Sequence, residues 1–211
     1  MRPIFRLFIL ALLLGFAGRA VAAASPAVLS LADRVDLDRI ERYLNEVRTL
    51  QAKFIQIADN GNTASGTFMM SRPGKMKLAY DPPIKDYVVS DGTFVFYWDA
   101  DLQQQSSQPL GYSLADLFLR ETIRLSGDVA VTHIGRQAGA LEVSIIQADD
   151  AGKGELTLVF EDKPLQLRKW RVLDAQGLIT TVALSDIHTG VKLEDRLFVF
   201  RDPNQGKPRR K

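Results

Sequence analysis

Side chains able to carry covalent or acid–base chemistry are few in this 211-residue chain, and they are dispersed. His133 and His188 are its only histidines and it has no cysteine. A metal site would have to recruit carboxylates, and no HExxH-like spacing supplies them. Gly111-Tyr112-Ser113-Leu114-Ala115 has the outline of a nucleophile elbow. An elbow needs a buried strand before it and a helix after it in an α/β sheet. The polar run 103–108 precedes it instead, so Ser113 reads as a helix N-cap with Asp116 at the third position. Asp99 and Asp101 read as turn residues rather than a carboxylate pair, and there is no glycine-rich phosphate loop. The expectation is a protein that is not an enzyme, with no catalytic residue, no metal and no cofactor.

The elements around these residues begin with Arg2 and Arg6, an apolar run over 7–17 and small residues at 20–24. Basic, apolar and small-residue regions in that order describe a secretory signal peptide, cut after Ala22 or Ala24. Its apolar run of about 11 residues falls short of the ~20 that a membrane helix needs. The expected organisation is a signal peptide at 1–24 and one domain at 25–211. Without cysteine there is no disulfide and no lipid-modified N-terminal cysteine, so a hydrophobic core must hold the domain. Of 27 basic residues, Arg2, Arg6 and Arg19 lie in the leader, which leaves 24 against 25 acidic ones. That balance offers nothing to nucleic acid. The basic cluster Lys207, Arg209, Arg210 and Lys211 reads as a solvated tail, with a membrane-surface or partner contact as the alternative.

Leu37, Ile40, Tyr43, Leu44 and Val47 recur at helical spacing and predict an amphipathic helix of about 12 residues, capped by Asp36 or Asp38. Over 50–57 the pattern turns to two-residue alternation, with Phe54 and Gln56 on one face and Ile55 and Ile57 on the other. Strands follow over 65–70, 75–80, 87–89 and 94–98, and another begins at 102–105. Arg72-Pro73-Gly74 and Asp81-Pro82-Pro83 interrupt the pattern, and Asp91-Gly92 turns a hairpin. Over 113–120 a second helix would place Leu114, Leu117 and Phe118 on one face. Strands resume over 129–134, 141–146, 155–160, 165–173, 179–187 and 196–200.

Short strands joined by tight turns imply a single antiparallel sheet, curled or closed. Two helical stretches with narrow apolar stripes must cover its large apolar face. Either the sheet closes around a packed core, or it curls around a cavity that the helices cap. Alternation alone does not choose.

An amphipathic helix runs into Leu50-Gln51-Ala52-Lys53-Phe54-Ile55-Gln56, followed by Ser65-Gly66-Thr67-Phe68 and Ser71-Arg72-Pro73-Gly74-Lys75. Then come Leu78-Ala79-Tyr80-Asp81-Pro82, Val88-Val89-Ser90-Asp91-Gly92, the stretch 169–174 before Gly177, and Phe198-Val199-Phe200-Arg201-Asp202-Pro203. This series, spread over nearly the whole chain beyond the leader, resembles the periplasmic lipoprotein carrier family, LolA. The resemblance implies a mainly β fold with α, a single curled antiparallel sheet forming a half-open β-barrel covered by an α-helical lid. It implies a periplasmic chaperone, acting as a monomer, that carries the acyl chains of lipoproteins from the inner to the outer membrane in an apolar cavity. An inner-membrane ABC transporter would load it using ATP, and an outer-membrane lipoprotein receptor would unload it.

The resemblance also assigns residues. Arg72 matches the family's arginine before proline, which would latch the lid by bonding its carbonyls. Met76, Leu78 and Tyr80 share its parity and would line the cavity, with Met76 where the family carries a bulky apolar residue. Phe54, Phe68, Phe94, Phe96 and Trp98 are the other candidates for the concave face. Each has ordinary core as its second reading, and in the hairpin the opposite parity would select Val95 and Tyr97. Leu114, Leu117 and Phe118 would form the underside of the lid, with a helix permanently docked on the sheet as the other reading. Two other functions fit the same half-barrel: a lipid- or lipoprotein-sensing regulatory module, and a carrier of another envelope lipid. Some family members extend further past the final proline segment, where here only 204–211 follow Pro203, which leaves the direction of release open.

Overall fold

Apolar residues at every second position govern the architecture from Thr49 onward. A computed structural model describes residues 25–111 and 114–203. The expected leader, the Ser113 cap and the basic C-terminal cluster lie outside these residues.

Helix α1 (Leu31–Glu46) buries Leu37, Ile40 and Leu44. It starts earlier than the apolar stripe suggests. Ser30 is the N-cap, not Asp36 or Asp38, and it forms a capping box with Asp33. Leu31 and Val35 in the first turns are exposed, which is why apolar periodicity alone starts the helix late.

Among the described residues, eleven strands form one antiparallel sheet. They are β1 (Thr49–Ile57), β2 (Thr63–Ser71), β3 (Lys75–Tyr80), β4 (Tyr87–Asp91), β5 (Phe94–Asp99) and β6 (Gln104–Pro109). After a crossover come β7 (Val129–Gln137), β8 (Ala140–Gln147), β9 (Glu155–Asp162), β10 (Leu165–Leu173) and β11 (Ile179–Thr189). The spatial order is β6-β5-β4-β3-β2-β1-β11-β10-β9-β8-β7. Every strand thus lies beside its sequence neighbour except at two places: β1 meets β11, and β6 and β7 are the opposite edges. The connection from β6 to β7 must therefore span the opening.

Register assigns the faces. Phe54 stands opposite Gly66, Gly66 opposite Tyr80, Phe68 opposite Leu78 and Met70 opposite Met76. These residues share the concave side with Val182 and Leu184 of β11, Trp170 of β10, Leu158 of β9 and Val143 of β8. The curl is strong. Phe68 and Trp170 lie on β2 and β10, with two strands between them, yet their ring centroids are 5.5 Å apart. At about 4.8 Å between neighbouring strands, a flat sheet would hold them about 14 Å apart. Register shifts at Gln51/Lys53, Leu167/Lys169 and Val131/His133 mark bulges, which bend and twist a sheet. The result is a half-open β-barrel, with α1 and the crossover lying over its concave side.

Three expected elements differ. The mid-chain helix is a 3-10 helix, Leu114–Leu119. The strand expected from 102 begins at Gln104, after a turn in which Gln103 has φ 53° and Leu102 is exposed. The expected strand over 196–200 is a 3-10 helix, Asp195–Phe198, leading into extended chain. It lies across the convex side of β3–β5, where it buries Phe198 and stacks Phe200 on Phe96 and Tyr87. Lys75 pairs with Asp195 at 2.9 Å, and the Tyr87 hydroxyl donates to the Arg201 carbonyl at 2.6 Å.

Candidate functional site

Concave side chains and the two covering elements converge on one apolar cluster. Phe54 and Phe68 are buried in it, and Met76, Leu78 and Tyr80 pack half-buried against it. From above, α1 contributes Leu37, Ile40 and Leu44, and the crossover contributes Leu114, Leu117, Phe118 and Ile123. Phe118 packs on Trp170 with centroids 5.4 Å apart. One cavity under the cover, among the described residues, measures about 20 Å³ and lies between Leu44, Val47, Met70, Phe118, Ile123 and Trp170. That is room for about one water molecule.

Gly66 makes the deepest part of this surface possible. A β-carbon there would lie 2.2 Å from the Ala79 carbonyl oxygen and 2.7 Å from the Phe54 ring. Its absence lets Phe54 meet Tyr80 edge to face at 5.3 Å, with the Tyr80 hydroxyl donating to Gln56 Oε1 at 2.8 Å. Burial raises the Tyr80 phenol above its ordinary pKa, so it stays a neutral donor.

Arg72 stands at the rim. Its amide donates to the Arg48 carbonyl at 2.8 Å, extending the β1–β2 ladder by one residue and turning its side chain to the concave side with Met70. The guanidinium then reaches both covering elements. Nη1 donates to the carbonyls of Leu44 and, at 3.2 Å, of Val47, at the C-terminal end of α1. Nε donates to the Arg120 carbonyl at 2.7 Å, and Nη2 to the Glu121 carbonyl at 3.1 Å. Nη2 also approaches Asn45 Oδ1 at 3.4 Å. The carbonyls ending a helix lack intrahelical partners and carry partial negative charge, and α1 has no basic residue of its own in its last turn. Arg72 supplies the missing donors. Burial, with Arg48 nearby, draws its pKa down to about 10, so it remains charged at neutral pH.

Three of the sequence-assigned cavity residues are not brought to this site. Phe94, Phe96 and Trp98 share parity with Tyr87 and Val89 and face the convex side, where Phe96 and Trp98 pack on Phe200. The other parity, Val95 and Tyr97, continues the concave face through Ser90 and Val88. The strand reads Phe94-Val95-Phe96-Tyr97-Trp98, apolar on both sides, so alternation carries no information there. Site residues missed in the sequence include Trp170, Leu167 and Ile123. Leu167 and Trp170 have opposite parity and reach one face only through the bulge at Leu167/Lys169, so alternation over 165–173 signals one but not both. Nothing local signals Ile123, which follows the 3-10 helix in irregular chain.

The possible chemical groups stay apart. The exposed His133 lies on edge strand β7, while His188, on β11, bonds Asp186 at 2.8 Å. Asp99 Oδ1 accepts from the Leu102 amide at 2.7 Å, as a turn residue does. Among the described residues no three histidines and carboxylates come together as a metal-binding group, and no helix is long and apolar enough to cross a membrane.

A curled sheet with an apolar interior under a cover hydrogen-bonded at its rim defines a lidded half-barrel rather than a catalytic cleft. Residues 45–201 match the family model of the outer membrane lipoprotein carrier protein LolA, and the chain belongs to that family. Curated relatives named outer-membrane lipoprotein carrier protein include one from Methylococcus capsulatus, 27% identical over 82% of this chain and 87% of its own length. Another, from Bordetella avium, is 30% identical over 88% of this chain and 91% of its own. Among solved structures, a LolA superfamily protein from Nitrosomonas europaea aligns at a TM-score of 0.44 and 11% identity, covering 78% of this chain and 97% of that one. An uncharacterized conserved protein from Thermus thermophilus aligns at 0.49 and 12%, covering 82% and 96%. Membership of a carrier family accords with the expectation that the chain is not an enzyme.

Proposed function

We propose that this protein is a periplasmic carrier that takes up the acyl chains of lipoproteins on the concave face of its half-barrel and delivers them to the outer membrane. The single observation that carries the reading is a large apolar face already covered by elements bonded to the rim through Arg72, with a cavity of only about 20 Å³ between the α1 end and Trp170. No acyl chain fits in that space. Cargo and cover must compete for the same surface, and uptake requires the cover to move away. Family membership supports the identity of the cargo.

The energetics suit such a competition. Each methylene withdrawn from a bilayer costs about 0.8 kcal/mol, so the acyl chains of one lipoprotein resist extraction by on the order of tens of kcal/mol. Loading then needs an external source, for which an ATP-driven inner-membrane transporter is the fitting partner. In the loaded state the cover has lost the carbonyl bonds of Arg72 and its own apolar contacts. Closing it recovers both and pushes cargo out, toward a receptor at the outer membrane. The carrier works as a monomer in this scheme, released into the periplasm by cleavage after 1–24.

Depletion followed by membrane fractionation tests the reading. Lipoproteins should accumulate in the inner membrane within a few generations. If they still reach the outer membrane normally, and no other carrier is present, the reading is wrong.

A further inference from the structure

The two covering elements are joined to each other more closely than either needs for its own fold. Asn45 of α1 exchanges two hydrogen bonds with one crossover residue: Nδ2 donates to the Ile123 carbonyl at 2.8 Å, and Oδ1 accepts from the Ile123 amide at 2.9 Å. This is the pairing that neighbouring strands make, supplied by a side-chain amide. The second Nδ2 hydrogen goes to the Glu41 carbonyl at 2.8 Å, and Oδ1 also faces Arg72 Nη2 at 3.4 Å, so the amide's capacity is filled. Glu41 adds a bond from the Leu125 amide at 2.6 Å, and Arg48 donates to the Glu121 carbonyl at 2.8 Å.

Links from this pair to the sheet lie at two ends. On one side, Ala27 donates to the Val131 carbonyl at 2.8 Å, Arg136 pairs with Asp33 and Asp36, Arg39 pairs with Asp162, the Tyr43 hydroxyl accepts from the Leu167 amide of β10 at 3.1 Å, and the crossover runs into β7. On the other side stand the Arg72 bonds and the Gly74 amide on the Leu119 carbonyl at 2.7 Å. The chain ties the cover to the sheet as well: α1 runs through Val47 and Arg48 into β1, and the crossover joins β6 to β7.

We propose that α1 and the segment 114–125 open as one body, with Asn45 as the positioning residue that couples them. The inference rests on the cover being displaced, as above, and specifies how. A cover in two independent pieces would let cargo slip beneath one piece while the other stayed latched. In a coupled cover, loss of the Arg72 bonds loosens both pieces together.

The chain has no cysteine, so spin labels go where cysteines are introduced. Three double variants report on the motion: Arg42→Cys with Lys53→Cys for α1 against the sheet, Arg124→Cys with Lys53→Cys for the crossover against the sheet, and Arg42→Cys with Arg124→Cys within the cover. Each is measured alone, with a triacylated lipopeptide, and in an Arg72→Leu background that frees the rim without cargo. The expected result in Arg72→Leu is a longer-distance component of equal population in both cover–sheet pairs and no change within the cover. Adding Asn45→Ala should lengthen the crossover–sheet pair without an equal change at α1. Glu41→Gln, a milder change, should move in the same direction. Unequal populations in Arg72→Leu, a lengthened pair within the cover, or no longer component in any state would overturn the proposal. Failure of the carrier reading shows separately, as absence of lipopeptide binding while the coupled motion in Arg72→Leu persists.

Discussion

A guanidinium taken out of water at the rim of an apolar interior is stable only while its donors are matched. Arg72 is matched by main-chain oxygens of the cover, Leu44, Val47, Arg120 and Glu121. Hydrogen bonds to a charged group are worth about 1.5–3 kcal/mol each, so losing the set shifts the cover toward open. An apparent Kd is the intrinsic one divided by the fraction of competent molecules, and on the reading proposed above closed molecules are not competent. Arg72→Leu should therefore fold and bind a triacylated lipopeptide more tightly, by roughly 10-fold or more, while transferring it poorly to acceptor membranes. Fluorescence titration and a transfer assay measure the two, and unchanged affinity with unchanged transfer would rule out the latch. Arg72→Lys should recover little, because one ammonium does not span four carbonyls. Gly66 makes a separate prediction. Gly66→Ala forces the Ala79 carbonyl and the Phe54 ring apart, and overpacking of this kind costs about 1–3 kcal/mol. Urea unfolding measures it, and a change under about 0.5 kcal/mol would mean that these groups yield freely.

At the level of elements, legibility followed burial on one face. The strands with one buried side, such as β1 and β2, announce themselves by alternation, and their observed register keeps it. The hairpin β4–β5 does not, because the C-terminal segment buries its convex side as well. Face assignment there needs the partner strand, which local sequence does not supply. Helix α1 was visible from Leu37, yet its start lay in the Ser30-x-x-Asp33 box, a signal that the exposed Leu31 and Val35 obscure. That start has a pH signature. Hydrogen bonds from Ser30 and Arg136 hold the Asp33 carboxyl down to about 2 from 3.8. A depressed carboxyl stabilises the fold above its unfolded pKa and loses that contribution as pH falls through the folded one. Protection of the first-turn amides of α1 should therefore be steady above about pH 4 and decline toward pH 2. Asp33→Asn should flatten that decline in hydrogen exchange, and an identical profile in both proteins would remove Asp33 as its cause.

For the whole molecule, sequence alternation left open whether the sheet enclosed its own core or a hollow. On the reading proposed above both descriptions apply, in different states. In the closed structure the interior is filled by Leu37, Ile40, Leu44, Leu117, Phe118 and Ile123, all from elements outside the sheet. They are core to the closed protein and, on the reading proposed here, the competitor of the cargo. Amide-resolved hydrogen exchange at Gly74, whose N–H donates to the Leu119 carbonyl of the cover at 2.7 Å, tests this competition most directly. As triacylated lipopeptide is titrated in, that amide should lose protection in proportion to occupancy. Saturable binding with the Gly74 amide as protected as before would place cargo elsewhere on the molecule and contradict the account.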